Sequence, residues 1–185
     1  MTPHSLCVSL AASACMAATP ASAASFQVSS PDMASGTVAM TQFANMPAMG
    51  CAGGNVSPQV VWRDAPAGTQ SLLVTMYDPD APTGSGWWHW AVANIPASNT
   101  ELVSGAGNDA TKLPAGALQV NTDAGRPGYG GPCPPVGQTH RYVITVVALK
   151  VAKLDLPPFA TPAMMNFMSM PHRLGQATLV ATGGR

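Results

Sequence analysis

Charged residues are scarce in this sequence. The 185-residue chain has eight Lys and Arg and eight Asp and Glu, so its formal net charge is zero. Charged residues make up 9% of the chain, compared with roughly 25% in an average domain. Such a chain creates no long-range field that would attract nucleic acid or anionic lipid. The composition therefore argues against nucleic-acid binding, and recognition must occur at a local site.

Internal repeats and long helical patterns are also missing. Gly and Pro number 18 each, and they divide most of the chain into short segments. The length of the chain and the lack of repeats predict a single, loop-rich domain over residues 24–185.

The first residues have the pattern of an export signal. Residues 5–24 are mostly small and apolar, contain no charged residue, and include Ala21-Ser22-Ala23, which fits a signal-peptidase site. Ser, Thr and Pro interrupt this segment and no stop-transfer charge follows it, which argues against an integral membrane span. The pattern predicts a signal peptide at 1–23 and a periplasmic or secreted protein. A disordered apolar leader on a cytoplasmic protein is the alternative.

Acids, prolines, glycines and aromatics are concentrated between residues 77 and 96. The apolar run 72–77 is rich in strand formers and predicts a buried strand. Prolines and glycines in 78–86 predict a rigid, turning loop, in which we expect the Ala81–Pro82 bond to be cis. Residues 87–95 predict a returning strand whose odd-numbered side chains lie on one face and even-numbered side chains on the other.

These two strands bring titratable side chains to one rim. A loop this short makes the strands antiparallel neighbours, so Asp78 and Asp80 at the end of the first lie near His89 at the start of the second. A third strand is predicted over residues 139–149, with alternate residues from His140 onward on one face. If it runs antiparallel to the first strand, His140 joins the same rim.

Three kinds of chemistry could use this group of acids and histidines. In a binding site, imidazoles donate to an anion while a carboxylate accepts from the ammonium or hydroxyl of the ligand. Two His and two Asp could instead hold zinc. A hydrolase needs an activated nucleophile, but residues 83–87 do not form a Gly-x-Ser-x-Gly motif and Cys133 lies between prolines. A common Asp-Pro-Asp turn with surface histidines is the structural alternative.

Two motifs at these positions resemble signatures of the phosphatidylethanolamine-binding protein family, which includes the Raf kinase inhibitor proteins. Asp-Pro-Asp-Ala-Pro at 78–82 with Trp-His-Trp at 88–90 is similar to the first signature. Gly-Pro-Cys-Pro-Pro at 131–135 with His-Arg-Tyr at 140–142 is similar to the second. The resemblance is greatest to the bacterial branch and covers most of residues 26–149.

The resemblance implies a fold and a site. The fold is an all-β core, in which a large antiparallel sheet packs with a smaller sheet, plus a C-terminal helix; Thr161-Pro162 is a suitable start for that helix. A small anion pocket lies at one rim, and Asp80 is expected to shape its loop. Carried over residue by residue, the site consists of Asp78, Asp80, Pro82, His89, Gly131, His140 and Tyr142.

We therefore interpret the chain as a non-enzymatic binding protein for a small phosphorylated or zwitterionic ligand such as a phospholipid head group, with no cofactor. Modulation of a partner protein, as by a kinase or protease inhibitor, is implied by the resemblance alone, and a homodimer is compatible with the sequence. The alternative function is a metal-dependent or acid–base hydrolase that uses Asp78, Asp80, His89 and His140.

Sulfur-containing residues raise two further questions. Cys51 and Cys133 are the cysteines left after removal of the leader, and both lie in predicted loops. An exported protein tends to oxidise such a pair, so we predict a disulfide, with two buried thiols as the alternative. The eleven methionines include Met46 and Met49 near Cys51. Thioethers can bind copper, but we expect these residues to fill the core and pack loops.

We predict that the mature protein begins at or near Ala24 and lies outside the cytoplasm. The small residues at 21–23 fit the specificity of signal peptidase. N-terminal sequencing of the natively expressed protein tests this, and an intact Met1 would contradict it.

Overall fold

The computed structural model describes Met1 and residues 25–185. The predicted signal peptide, Met1 apart, lies outside the described residues. No helix in the described part is long and apolar enough to cross a membrane. The described strands are β1 Gln27–Ser29, β2 Asn45–Met46, β3 Cys51–Ala52, β4 Val60–Arg63, β5 Ser71–Asp78, β6 Trp87–Pro96, β7 Glu101–Leu102, β8 Leu118–Gln119, β9 Thr139–Leu149 and β10 Arg173–Gly184.

The helical elements of residues 25–185 are short. One α-helix, α1, spans Pro162–Ser169, and its first turn is capped by Thr161, whose hydroxyl accepts from the Met164 amide. Pro at the first helical position fits this start because its missing N–H would have no partner there. The predicted C-terminal helix is thus confirmed. Four single 3-10 turns are Pro31–Met33, Pro47–Met49, Ala110–Lys112 and Met170–His172.

The main sheet has five antiparallel strands in the order β10-β9-β5-β6-β8. Strand β5 lies at its centre, and all of its residues but Tyr77 are buried. A strand paired on both sides and covered on both faces is apolar along its length rather than alternating, which explains the run at 72–77. A smaller sheet contains β1, β4 and β7. The predicted all-β class and antiparallel arrangement of β5, β6 and β9 are confirmed.

Two apolar layers lie on opposite faces of the main sheet. On one face Val74 and Ile144 pack in a cluster with Trp62 of the smaller sheet. On the other, Leu73 and Val147 pack in a cluster with α1, whose Met165 is fully buried. The split follows from the alternation of side chains along β5 and β9. Packing on both faces holds the main sheet in place. It thereby also holds the rim where β5 ends.

The strict alternation predicted for β6 is wrong. Ile95 lies in the same apolar layer as Trp90 and Val92. The reason is a pair of register shifts between β5 and β6. Near one end Asn94 has a φ of 57°, and near the other His89 is an extra residue between the paired Trp88 and Trp90. Each bulge adds one residue and reverses the alternation beyond it.

The predicted cis bond is also wrong. No peptide bond in residues 25–185 is cis, so Ala81–Pro82 is trans. The loop reverses by other means. The Asp78 carboxylate accepts from the Asp80 amide at 2.8 Å, as in an Asx turn. Gly84 and Gly86 then adopt φ values of 82° and 71°, which L residues rarely adopt.

A disulfide joins two loops at the rim. Cys51 and Cys133 are bonded, with their Cα atoms 5.9 Å apart and a sequence separation of 82. The loop that begins at β3 is therefore attached directly to the Gly- and Pro-rich segment at 131–135.

We expect reduction of this disulfide to lower the free energy of unfolding by about 4 kcal/mol, because the bridge restricts the unfolded chain over a long loop. Urea denaturation with and without reductant measures the change, in a chain whose leader residues Cys7 and Cys15 are replaced by Ser. Adding Cys51→Ser and Cys133→Ser gives the control, whose stability should not respond to reductant. Two reactive thiols in the unreduced, denatured protein would contradict the prediction.

Candidate anion-binding site

A cavity of about 300 Å³ opens at the rim where β5 ends and β6 and β9 begin. Its walls come from three distant parts of the chain: the segment around β2, the loop after β5 with the start of β6, and residues 131–140. Five of the predicted site residues contribute to its lining: Asp78, Pro82, His89, Gly131 and His140.

The carboxylate of Asp78 lies at the base of this group and is 3% exposed. Its Oδ2 is 2.7 Å from Nδ1 of His140 and 4.0 Å from Nε2 of His89. Its Oδ1 accepts from the amide of Asp80. Burial alone raises the pKa of Asp78, but the two imidazoles and this amide outweigh burial and hold the pKa below its ordinary value of 3.8. Asp78 is therefore an anion at neutral pH.

The ring of His140 is fixed by two partners. Nδ1 donates to Asp78, and Nε2 lies 3.0 Å from the side-chain amide of Gln138. An amide can turn to present either its oxygen or its NH₂ group. Gln138 can therefore pair with Nε2 whether or not that nitrogen carries a proton.

The ring of His89 has one partner and one free nitrogen. Nδ1 is 2.6 Å from the Gly130 carbonyl, and because a carbonyl only accepts, Nδ1 carries the proton. Tyr142 packs edge-on against the ring, with the centroids 5.5 Å apart. Nε2 is buried and has no hydrogen-bond partner. A buried polar atom without a partner is costly, so Nε2 is the natural contact point for a ligand or water.

Gly131 lines the cavity at a position where only glycine fits. Its amide donates to Oδ1 of Asn55 at 2.8 Å. A Cβ atom at this position would collide with the backbone of Gln42, Phe43 and Ala44. The close approach of these two chain segments explains why glycine stands here.

Two predicted site residues do not line the cavity. Asp80 faces Arg141, with Oδ1 2.7 Å from Nη2 and Oδ2 2.9 Å from Nε. The Arg141 side chain and then its amide hold the pKa of Asp80 at about 2. Asp80 thus fixes the loop against β9. Tyr142 is fully buried beneath His89, and burial raises the pKa of its hydroxyl.

Asp80 was one of four possible zinc ligands, but its carboxylate is paired with Arg141 and is not available to a metal. In the part of the chain that the structure describes, no group of three His, Cys, Asp or Glu side chains could hold a metal ion.

An apolar wall was missed by the sequence analysis. Pro134 and Pro135 line the cavity on the side of the disulfide, Met46 and Met49 come from the segment around β2, and Trp87 completes the wall. Strand β10 leads to the same wall, where Arg185 donates to the Pro134 carbonyl and accepts from the Gly137 amide. Proline density marked this loop in the sequence, but no pattern indicated that the two methionines would face it.

A family model described as phosphatidylethanolamine-binding protein matches residues 35–184. The chain belongs to the phosphatidylethanolamine-binding protein family. It is 50% identical over 133 residues to the UPF0098 protein YbhB of Escherichia coli K12, covering 72% of this chain and 84% of YbhB. The crystal structure of E. coli YbcL has a TM-score of 0.82 at 42% identity, covering 88% of this chain and 99% of YbcL.

Another relative in this phosphatidylethanolamine-binding protein family is LppC of Mycobacterium tuberculosis, which is named as a lipoprotein. It is 39% identical over 168 residues, covering 90% of this chain and 76% of LppC. Membership gives the chain a fold used by binding proteins.

We expect Asp78→Asn to lower the free energy of unfolding by roughly 1.5–3 kcal/mol at neutral pH, because hydrogen bonds to a charged acceptor are lost. The pKa of Asp78 is depressed in the fold, so this stabilisation is present above pH 3.8 and disappears as pH falls through the lowered value. The gap between wild type and variant should therefore narrow below about pH 4. Urea denaturation across this range measures it.

Asp155→Asn is the matched control for this variant. The Asp155 side chain is 94% exposed and meets only Lys153, so its replacement should change stability little at any pH. A gap for Asp78→Asn that stays constant or widens on acidification would contradict the assignment of Asp78 as a stabilising buried anion.

Proposed function

We propose that the protein binds a small phosphorylated group in this cavity without catalysing a reaction. The free phosphate ester and the zwitterionic head group, such as phosphorylethanolamine, share the chemistry that the site would recognise. The observation that carries the proposal is the buried, unpartnered Nε2 of His89, which belongs to the cavity lining near His140 and Asp78.

The donors in the cavity support an anion as ligand. A protonated His89, which lines the cavity, has a second donor in Nε2–H, since Nδ1 already bonds the Gly130 carbonyl. The Nε2 atom of His140 meets a neutral amide that a phosphate oxygen could replace. Charge-assisted hydrogen bonds of this kind are short and strong. The adjoining apolar wall lowers the local dielectric and would strengthen them further.

Asp78 sets a condition on the ligand. Its carboxylate is ionised and lies 4.0 Å from His89 Nε2, so it repels a simple phosphate unless the histidines are protonated. A ligand that carries its own ammonium supplies a partner for the carboxylate. The site should therefore accept phosphorylethanolamine over a wider pH range than inorganic phosphate.

Binding is a better account of these residues than hydrolysis. The hydroxyl of Thr83, which lines the cavity, already bonds the Gly86 carbonyl, and Cys133 is oxidised in the disulfide. Neither is available as a nucleophile activated by an adjacent base. Asp80, which the hydrolase alternative requires, is paired with Arg141. Family membership also supports a non-catalytic binding protein.

We further propose that the protein acts outside the cytoplasm. The Cys51–Cys133 disulfide supports this location because such bonds persist in oxidising compartments. The signal-like leader and the lipoprotein relative LppC point the same way. Docking to a partner protein and homodimer formation are expectations from the family and the sequence alone.

Replacing His89 and His140 together with Ala should weaken phosphorylethanolamine binding by at least about tenfold, because each charge-assisted hydrogen bond is worth roughly 1.5–3 kcal/mol. Affinity of the wild type for inorganic phosphate should fall as pH rises from about 5.5 to 8, where imidazoles lose their protons. Affinity for phosphorylethanolamine should fall less. Calorimetric titration of both ligands at the two pH values measures these differences.

His172→Ala is the control, because His172 lies in the 3-10 turn before β10 and outside the cavity lining. It should bind both ligands as the wild type does. Equal affinities of wild type and the His89/His140 double variant would show that the histidines serve only the structure of the rim, and the proposed function would then be withdrawn.

A further inference from the structure

Two exposed methionines line the same cavity as the unpartnered histidine. We propose that the cavity binds Cu(I) through the thioether sulfurs of the exposed Met46 and Met49 and through the buried Nε2 of His89. This site is distinct in chemistry from the anion site, although it shares His89. It would give the protein a soft-metal ligand that the phosphate proposal does not require.

Of the two roles expected from the sequence, core filling and loop packing, the two methionines do not fill the core. Met46 is 39% exposed and Met49 59%, whereas Met76 and Met165 are fully buried. Met46 directly precedes the 3-10 turn Pro47–Met49, and Met49 is its last residue. Positions three apart lie above one another in such a turn, and both residues contribute to the cavity lining. Two thioethers are thereby brought to one wall with access to solvent.

His89 has the arrangement that metal-binding histidines usually show. Its Nδ1–H donates to the Gly130 carbonyl at 2.6 Å, which fixes the ring and leaves the lone pair on Nε2. A ligating histidine typically holds its second nitrogen to a carbonyl or carboxylate in this way. The ring is 6% exposed, and Nε2 has no partner within the protein. A metal ion would supply that partner.

The donor set selects a soft ion. Thioethers and imidazole suit Cu(I), whereas calcium and magnesium need several oxygen ligands. The carboxylate of Asp78 already accepts from His140 and from the Asp80 amide. It nevertheless places negative charge 4.0 Å from Nε2 of His89, which favours a cation there.

The disulfide prepares the site for binding. Met49 stands two positions before Cys51 in sequence, and Cys51 is bonded to Cys133, which itself lines the cavity. The segment that carries the methionines is therefore held against the opposite wall before a metal arrives. Less ordering is then needed on binding, which increases affinity. With both sulfurs in the bridge, no thiolate of this pair competes with the thioethers.

Silver(I) is a suitable probe because it shares the preference for soft donors and needs no reductant that would break the disulfide. The full chain, with Cys7 and Cys15 replaced by Ser, is labelled with ¹³C at the methionine methyl groups and titrated with silver nitrate in chloride-free buffer. The Met46 and Met49 signals should shift and saturate at about one equivalent. Met40 and Met170 are each 62% exposed and lie outside the cavity lining, so their signals should not move.

Calorimetry with matched variants then tests the ligands. Met46→Leu with Met49→Leu removes both sulfurs at similar volume and should weaken silver binding by at least about tenfold, as should His89→Ala. Met40→Leu with Met170→Leu is the control and should bind as the unsubstituted chain does. A Cu(I) titration buffered by a chromogenic chelator under ascorbate should give the same order of affinities.

Equal shifts of the Met40, Met46, Met49 and Met170 signals, or unchanged silver affinity in either site variant, would overturn the proposal. The outcome is separable from that of the phosphate experiment. The Met46/Met49 variant keeps both histidines, so it should retain phosphorylethanolamine affinity. If this variant instead lost phosphorylethanolamine affinity and kept silver affinity, the methionines would be apolar contacts for the organic ligand and the metal site would be wrong.

Discussion

The carboxylate of Asp78 is buried at the end of the central strand, and an ionised group in that position requires donors on every side. Strand β9 supplies His140 from one neighbour, strand β6 supplies His89 from the other, and the turn after β5 supplies the Asp80 amide. The rim is therefore organised by one charge. Removing either imidazole would change both the stability of the carboxylate and the electrostatics of the cavity.

The bulge at His89 makes this arrangement possible. With Trp88 and Trp90 both paired to β5, His89 is the residue without a partner in the ladder. A bulge redirects a side chain and increases the local twist. Here the ring lies 4.0 Å from Asp78 and leaves Nε2 without a partner. The local irregularity of the sheet at this bulge thus leaves a buried polar atom of a cavity-lining residue without a hydrogen-bond partner.

Sequence predicted the meeting of Asp78, His89 and His140 because each stands at the end of a strand in a short-looped antiparallel arrangement. It did not predict that Ile95 would share a layer with Trp90. A bulge reverses the alternation of side chains, and its position becomes visible only from the pairing of β6 with β5. Asp80 was expected to shape its loop, but neither its partner Arg141 nor the place of Met49 in the cavity lining could be predicted. A charge pair with Arg141 and a thioether at a cavity mouth depend on loop contacts between distant segments, for which a single sequence carries no signal.

The walls of the cavity come from segments around residues 46–49, 78–89 and 131–140. The Cys51–Cys133 disulfide joins the first segment to the third, and Arg185 attaches the end of β10 to the third. None of these segments alone contains all the side chains that line the cavity. Occupancy is therefore coupled to folding of the entire sheet, and a ligand at a hundredfold its Kd should stabilise the native state by about 2.7 kcal/mol. A ligand that stays bound therefore shows that all three segments are folded, so ligand binding can be used to follow global unfolding.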